Sequence, residues 1–165
     1  ATPPPSGLAQ CSASHHPAMT GAFSRLFNDD LKQKVYSLTQ GRVLKSGWQL
    51  LNNPNAGAGW RVQILTTDKN SEYDGYRFLY GHMEPESTPD VGTLVRGGQF
   101  IGNYADPTNG HSSGPHVHVQ VFDTKGNIVE PPQVSPVSDG IIRSNYSDTG
   151  AMHQLPHKGI DYGSP

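Results

Sequence analysis

Histidines supply the first lead. The sequence holds eight, and two alternate in GPHVHVQV, residues 114–121. In an extended strand, positions i and i+2 project from one face, about two rises of ~3.3 Å apart. His116 and His118 therefore share a face with Gln120, while Val117, Val119 and Val121 share the other. Two imidazoles so placed can hold one metal ion between them, or one can bind it while the other faces the reacting water. An isolated pair of this kind also fits a solvated polar strand face.

A second segment, HKGIDYG at 157–163, sets His157 and Asp161 four residues apart. Its glycines argue for extended chain, where i and i+4 again share a face. A neutral imidazole and a carboxylate are good zinc ligands. A surface His beside a turn-capping Asp fits this pair equally well. A third segment, YGHM at 80–83, places His82 where a strand runs into a loop, and loops on a rigid sheet are where reactive side chains collect.

Together the segments suggest one chemistry. His118, His157 and Asp161 would be three protein ligands to one Zn2+ ion, with the fourth position open, the pattern of catalytic rather than structural zinc. His82 and His116 would remain for proton transfer and oxyanion stabilisation, since an imidazole titrates near neutral pH. Such a set suits amide hydrolysis by an activated water without a covalent intermediate. A cysteine nucleophile fits poorly, because Cys11 lies in a Pro- and Ser-rich arm.

At these residues the chain resembles the lysostaphin-type zinc endopeptidases. Three motifs carry the resemblance: HKGIDYGSP at 157–165, YGHM at 80–83 and SSGPHVHVQV at 112–121. VYSLTQGRVL and VGTLVRGGQFIGNYADPTNGHSSGPHVHVQV match intervening family segments, so the resemblance spans about residues 35–130 and 140–165. It implies a zinc peptidase that cuts peptide cross-links of bacterial peptidoglycan. His157, Asp161 and His118 match the metal ligands, and His82 and His116 the two further catalytic histidines. The implied fold is an antiparallel β core, a duplicated hybrid or barrel-like motif. In the family HxxxD comes first, whereas here it comes last, so the order looks circularly permuted. A rival assignment keeps the usual order and takes His15 or His16 with Asp29 or Asp30 as ligands. His111 and His153 are read as solvated, and Tyr146 as either a groove-lining or a core tyrosine. The alternative function is a non-catalytic cell-wall-binding or amidase-regulating module of the same fold.

The elements that must position these residues read as short strands. VYSLTQGRVLKSG, GWRVQILTT, GYRFLYGHM, GTLVRGGQFIGNYA and GPHVHVQVFDTKGNIVE are rich in β-branched and aromatic residues. Turn residues punctuate them every ten or so positions, the grammar of an antiparallel, mostly β domain. DTKGN reads as a turn into IVEP, and 131–140 as a Pro-rich connection. Residues 1–34 read as an N-terminal arm or insertion, with a short helix predicted within 19–36, ahead of a zinc peptidase core at 35–165. Specificity is expected in loops 67–76, 84–93 and 103–113.

Composition bounds the rest. The 165 residues favour one domain, and 19 Gly with 14 Pro suit many turns. A net charge of −2 without a Lys/Arg cluster argues against a nucleic-acid partner. No apolar run approaches the ~18 residues of a membrane span. One cysteine excludes an internal disulfide. ATPPPSG lacks the features of a signal peptide, so a processed form or an excised domain is expected. The expected partner is the peptidoglycan peptide stem, met outside the cytoplasm by a monomer. An immunity or regulatory protein is a further candidate partner.

Overall fold

The structure, a computed structural model, describes residues 33–138, 140–148 and 157–164. These form ten strands: β1 (Lys34–Tyr36), β2 (Gly41–Trp48), β3 (Trp60–Thr66), β4 (Arg77–Gly81), β5 (Leu94–Val95), β6 (Phe100–Asn103), β7 (Val117–Phe122), β8 (Ile128–Val129), β9 (Ile141–Ser144) and β10 (Ile160–Gly163). Of the span 19–36 in which a short helix is predicted, residues 19–32 lie outside the described residues and Lys34–Tyr36 form β1; Cys11, His15, His16, Asp29, Asp30 and His153 also lie outside. No helix among the described residues is long and apolar enough to cross a membrane.

The domain is antiparallel β, as the strand grammar predicts. One sheet runs β5-β2-β3-β4-β7-β10-β9, with β8 also paired to β7. A small second sheet pairs β1 with β6. Two of the strand-rich segments each hold two strands. VYSLTQGRVLKSG breaks into β1 and β2, because Ser37–Gln40 turn the chain between the two sheets. GTLVRGGQFIGNYA breaks at Arg96–Gln99, whose turn is closed by the Gln99 amide donating to the Arg96 carbonyl.

The alternation predicted for the HxH strand is present. Val117, Val119 and Val121 are fully buried, while His118 and Gln120 on the opposite face are partly exposed. Each such valine contributes about 1.5–3 kcal/mol by leaving water. Phe78 and Tyr80 of β4 and Ile160 and Tyr162 of β10 join the same core. The Tyr80 hydroxyl also accepts a hydrogen bond from the Leu38 amide at 2.9 Å, tying the β1–β2 turn to the sheet.

That core decides where β10 goes. Its apolar residues, Ile160 and Tyr162, pack inward, so Asp161 between them must face outward with His118. The ladders then set Gly81, His118, Asp161 and Ser144 in one row across β4, β7, β10 and β9.

Candidate metal centre and active site

Three ligand-type atoms converge in that row. His118 Nδ1 lies 2.9 Å from Asp161 Oδ1 and 3.2 Å from His157 Nε2. His157 Nε2 is 3.5 Å from Asp161 Oδ1. The edges of a zinc tetrahedron with ~2.0–2.1 Å bonds are about 3.3–3.4 Å, so the three separations suit donors around one such ion. Two imidazoles and a carboxylate are also the donor chemistry zinc takes. Among the described residues this is the group of His, Cys, Asp and Glu side chains close enough to share an ion.

Each donor is built differently. His118 and Asp161 are held by the β7–β10 register. His157 lies just before β10 and is fixed by its backbone: its amide donates to the Asp148 carbonyl at 2.9 Å, and its carbonyl accepts from the Ser147 amide at 2.7 Å. Its ring Nδ1 is 3.1 Å from the Asn145 carbonyl and 3.2 Å from Ser144 Oγ, which turns Nε2 toward Asp161. Gly159 keeps the approach open. A Cβ there would fall 2.7 Å from both Nε2 and Cε1 of His118 and 2.4 Å from the Val119 carbonyl oxygen.

His82 and His116 flank the trio. Their ring centroids are 4.8 Å apart, and His116 Nε2 is 3.5 Å from Asp161 Oδ1. His82 follows β4 directly, with a φ of 60°, a region that costs a residue with a Cβ. The surrounding loops hold it there. Its amide donates to the Ala58 carbonyl at 2.7 Å, and its carbonyl accepts from Ala105 at 2.9 Å. Its Nδ1–H donates to the Asn109 carbonyl at 2.8 Å. Asn109 is itself clamped, its side chain donating to the Met83 carbonyl and accepting from the Trp60 amide. His116 Nδ1–H donates to the Gly114 carbonyl at 2.8 Å.

The electrostatics follow from this packing. Burial opposes the Asp161 charge, yet hydrogen bonds from His118 and His157 outweigh it and hold the carboxyl well below its usual range. Burial alone would lower the His157 pKa, but the neighbouring Asp161 carboxylate raises it above its ordinary value. His82 has no such partner. Burial, then the charges of His116 and His118, push it down to about 3, so its ring is neutral at physiological pH.

All five residues singled out in the sequence, His82, His116, His118, His157 and Asp161, thus meet at one place. His111 is exposed on the 105–114 loop, where its amide donates to the Gly57 carbonyl. Tyr146 is half-buried against the core. Sequence reasoning missed the partners of the histidine rings: Asn109, Ser112, Gly114, Ser144, Asn145 and Gln120. Only Gln120 carried a signal, being two residues beyond His118 on the same strand face.

The profile of peptidase family M23 matches residues 26–131. The chain belongs to peptidase family M23. The matched span holds His82, His116 and His118, whereas His157 and Asp161 lie beyond it and join through the pairing of β10 with β7. Among solved structures, the chain is similar to the catalytic domain of a prophage-encoded M23 protein, EnpA, from Enterococcus faecalis. Identity there is 24%, with 59% of this chain and 66% of that chain covered and a TM-score of 0.44. It is also similar to lysostaphin, at 21% identity, covering 69% of this chain and 48% of that one, with a TM-score of 0.42. Both matches span less than two thirds of the other chain. No curated protein sequence matches.

Proposed function

We propose that this M23 domain is a zinc-dependent endopeptidase that cleaves peptide cross-links of bacterial peptidoglycan outside the cytoplasm. The observation that carries the reading is the convergence of His118 Nδ1, His157 Nε2 and Asp161 Oδ1 within 4.8 Å of one another, with His82 and His116 alongside. The trio would hold the ion, which when bound supplies Lewis acidity for activating water and polarising the scissile carbonyl.

The chain's own groups do the rest. His82 and His116 each commit Nδ1–H to a backbone carbonyl, so the lone pair of the neutral ring sits on Nε2. The depressed pKa of His82 suits it to accept a hydrogen bond and orient the attacking water rather than to carry a proton. In this reading His116, whose Nε2 is 3.5 Å from Asp161 Oδ1, takes a proton from the attacking water and passes it to the leaving amine. We read the late position of HxxxD as a circular permutation, which the fold tolerates because the row on the sheet is set by strand pairing and not by chain order.

The test is digestion of purified peptidoglycan with and without a chelator, with mass spectrometry of the released fragments. Chelator-sensitive products bearing newly freed cross-link amines are expected. A digest without chelator-sensitive products would sink the reading in favour of a non-catalytic module. Release of whole stems from the sugar would move the activity to another amide.

A further inference from the structure

Four histidines at this site have one ring nitrogen against an acceptor, and one of the four is reversed. His82, His116 and His157 direct Nδ1 at the carbonyls of Asn109, Gly114 and Asn145, at 2.8, 2.8 and 3.1 Å. A carbonyl oxygen only accepts, so Nδ1 carries the hydrogen and Nε2 is presented to the site. His118 instead turns Nδ1 toward Asp161 and His157, and its Nε2 lies 2.9 Å from Gln120 Oε1.

We propose that Gln120 is a positioning residue that selects the tautomer of His118, its amide oxygen accepting from Nε2–H and so leaving the Nδ1 lone pair for a divalent cation shared with His157 and Asp161. The inference rests on the reading of that trio as a metal site. A carboxamide can present either end to a ring nitrogen. With its NH2 toward His118, the ring hydrogen would sit on Nδ1, aimed at Asp161, and no lone pair would face the ion. With its oxygen there, the ring is set for coordination. The strand places Gln120 for this task, two residues beyond His118 on the same face. Its register partner across β4 is Leu79, whose side chain offers no competing polar group. On the other side Gly159 leaves the Nε2 edge of the ring uncrowded. Unlike the carbonyls of Asn109, Gly114 and Asn145, this acceptor is a side chain and can be changed without touching the backbone.

Zinc affinity measured by competition with a chromogenic chelator tests the idea. Gln120→Leu removes the acceptor and is expected to weaken zinc binding roughly 10- to 100-fold, with the melting temperature of the metal-free protein unchanged. Gln120→Glu keeps an acceptor and is expected to bind zinc about as tightly as the wild type. Long-range 1H–15N spectra of the zinc-loaded wild type should show His118 protonated at Nε2. A Leu variant with wild-type affinity, or His118 protonated at Nδ1 in the loaded protein, overturns the proposal. Should the Leu variant not fold, a tenfold loss in Gln120→Glu overturns it equally. A wild-type chain that takes up no zinc fails the metal reading itself, a result distinct from wild-type uptake that is indifferent to residue 120.

Discussion

Asp161 stands directly opposite His118 across the β7–β10 ladder, and its Oδ1 is 2.9 Å from His118 Nδ1. The same oxygen lies 3.5 Å from His157 Nε2 and from His116 Nε2, so one carboxylate joins three imidazoles. Most of what the site can do depends on this contact.

Removing a donor from the trio should abolish stoichiometric zinc. His157→Ala and Asp161→Ala are each expected to lose more affinity than the roughly 10- to 100-fold typical of an outer partner. Metal analysis after dialysis against a weak chelator checks this. If His157→Ala retains one zinc per chain, the ligands lie elsewhere, and His15 or His16 with Asp29 or Asp30 becomes the assignment to pursue.

Acidity should strengthen the His157–Asp161 pair of the metal-free protein and weaken zinc binding. His157 has a raised pKa, so its contribution to folding is full below its ordinary 6.5 and is lost as pH rises through the higher folded value. Asp161 is depressed, so its contribution is present above the unfolded value of about 3.9 and is lost as pH falls toward the folded one. Buried His82, pushed down to about 3, works the other way below 6.5, so the test is differential: from pH 8 to pH 6 the metal-free wild type should gain melting temperature relative to Asp161→Asn, which lacks the carboxylate that raises His157. Zinc competes with the His157 proton, so its affinity should fall over the same range, starting above pH 6.5. A wild-type melting temperature that gains nothing on Asp161→Asn between pH 8 and pH 6 contradicts the pairing.

His82→Ala should separate chemistry from metal binding. His82 contacts none of the three ligand atoms through a hydrogen bond, its Nδ1 being engaged by Asn109. Zinc content is expected to stay at the wild-type level, while hydrolysis falls by roughly 10²-fold, the order of loss when a reacting group is misplaced. Loss of zinc together with activity would make His82 a structural support instead.

Gly159→Ala tests the space beside His118. The added methyl would sit 2.7 Å from the ring and 2.4 Å from the Val119 carbonyl oxygen, and backbone cannot yield cheaply. A destabilisation of about 1–3 kcal/mol is expected from such overpacking, with weakened zinc binding as the ring shifts. Denaturant unfolding of the metal-free variant measures the first effect and chelator competition the second. Wild-type values in both would show that β10 moves away freely.

Much of this was legible in the chain because β structure is periodic. Alternation alone put His118 and Gln120 on one face of β7, in line with His116 just before it, and three valines on the other, and burial follows that division. The strand segments were legible for the same reason. Their sheet membership was not: Leu94–Val95 and Phe100–Asn103 lie in one segment but pair in different sheets, since hydrophobic periodicity marks a strand and not its partner. Ring partners were hidden too. Three are backbone carbonyls, which every residue has, so no residue type marks them.

The sequence by itself determined which donors exist, that the domain is antiparallel β, and which residues of each strand share a face. These are local consequences of backbone geometry and side-chain chemistry. Tertiary structure decided that His157 and Asp161, 39 and 43 residues from His118, complete its site. Nothing local links such distant segments. Burial of Ile160 and Tyr162 against the valines of β7 sets the register, and that register carries Asp161 to His118, where Gln120 meets the far side of the same ring.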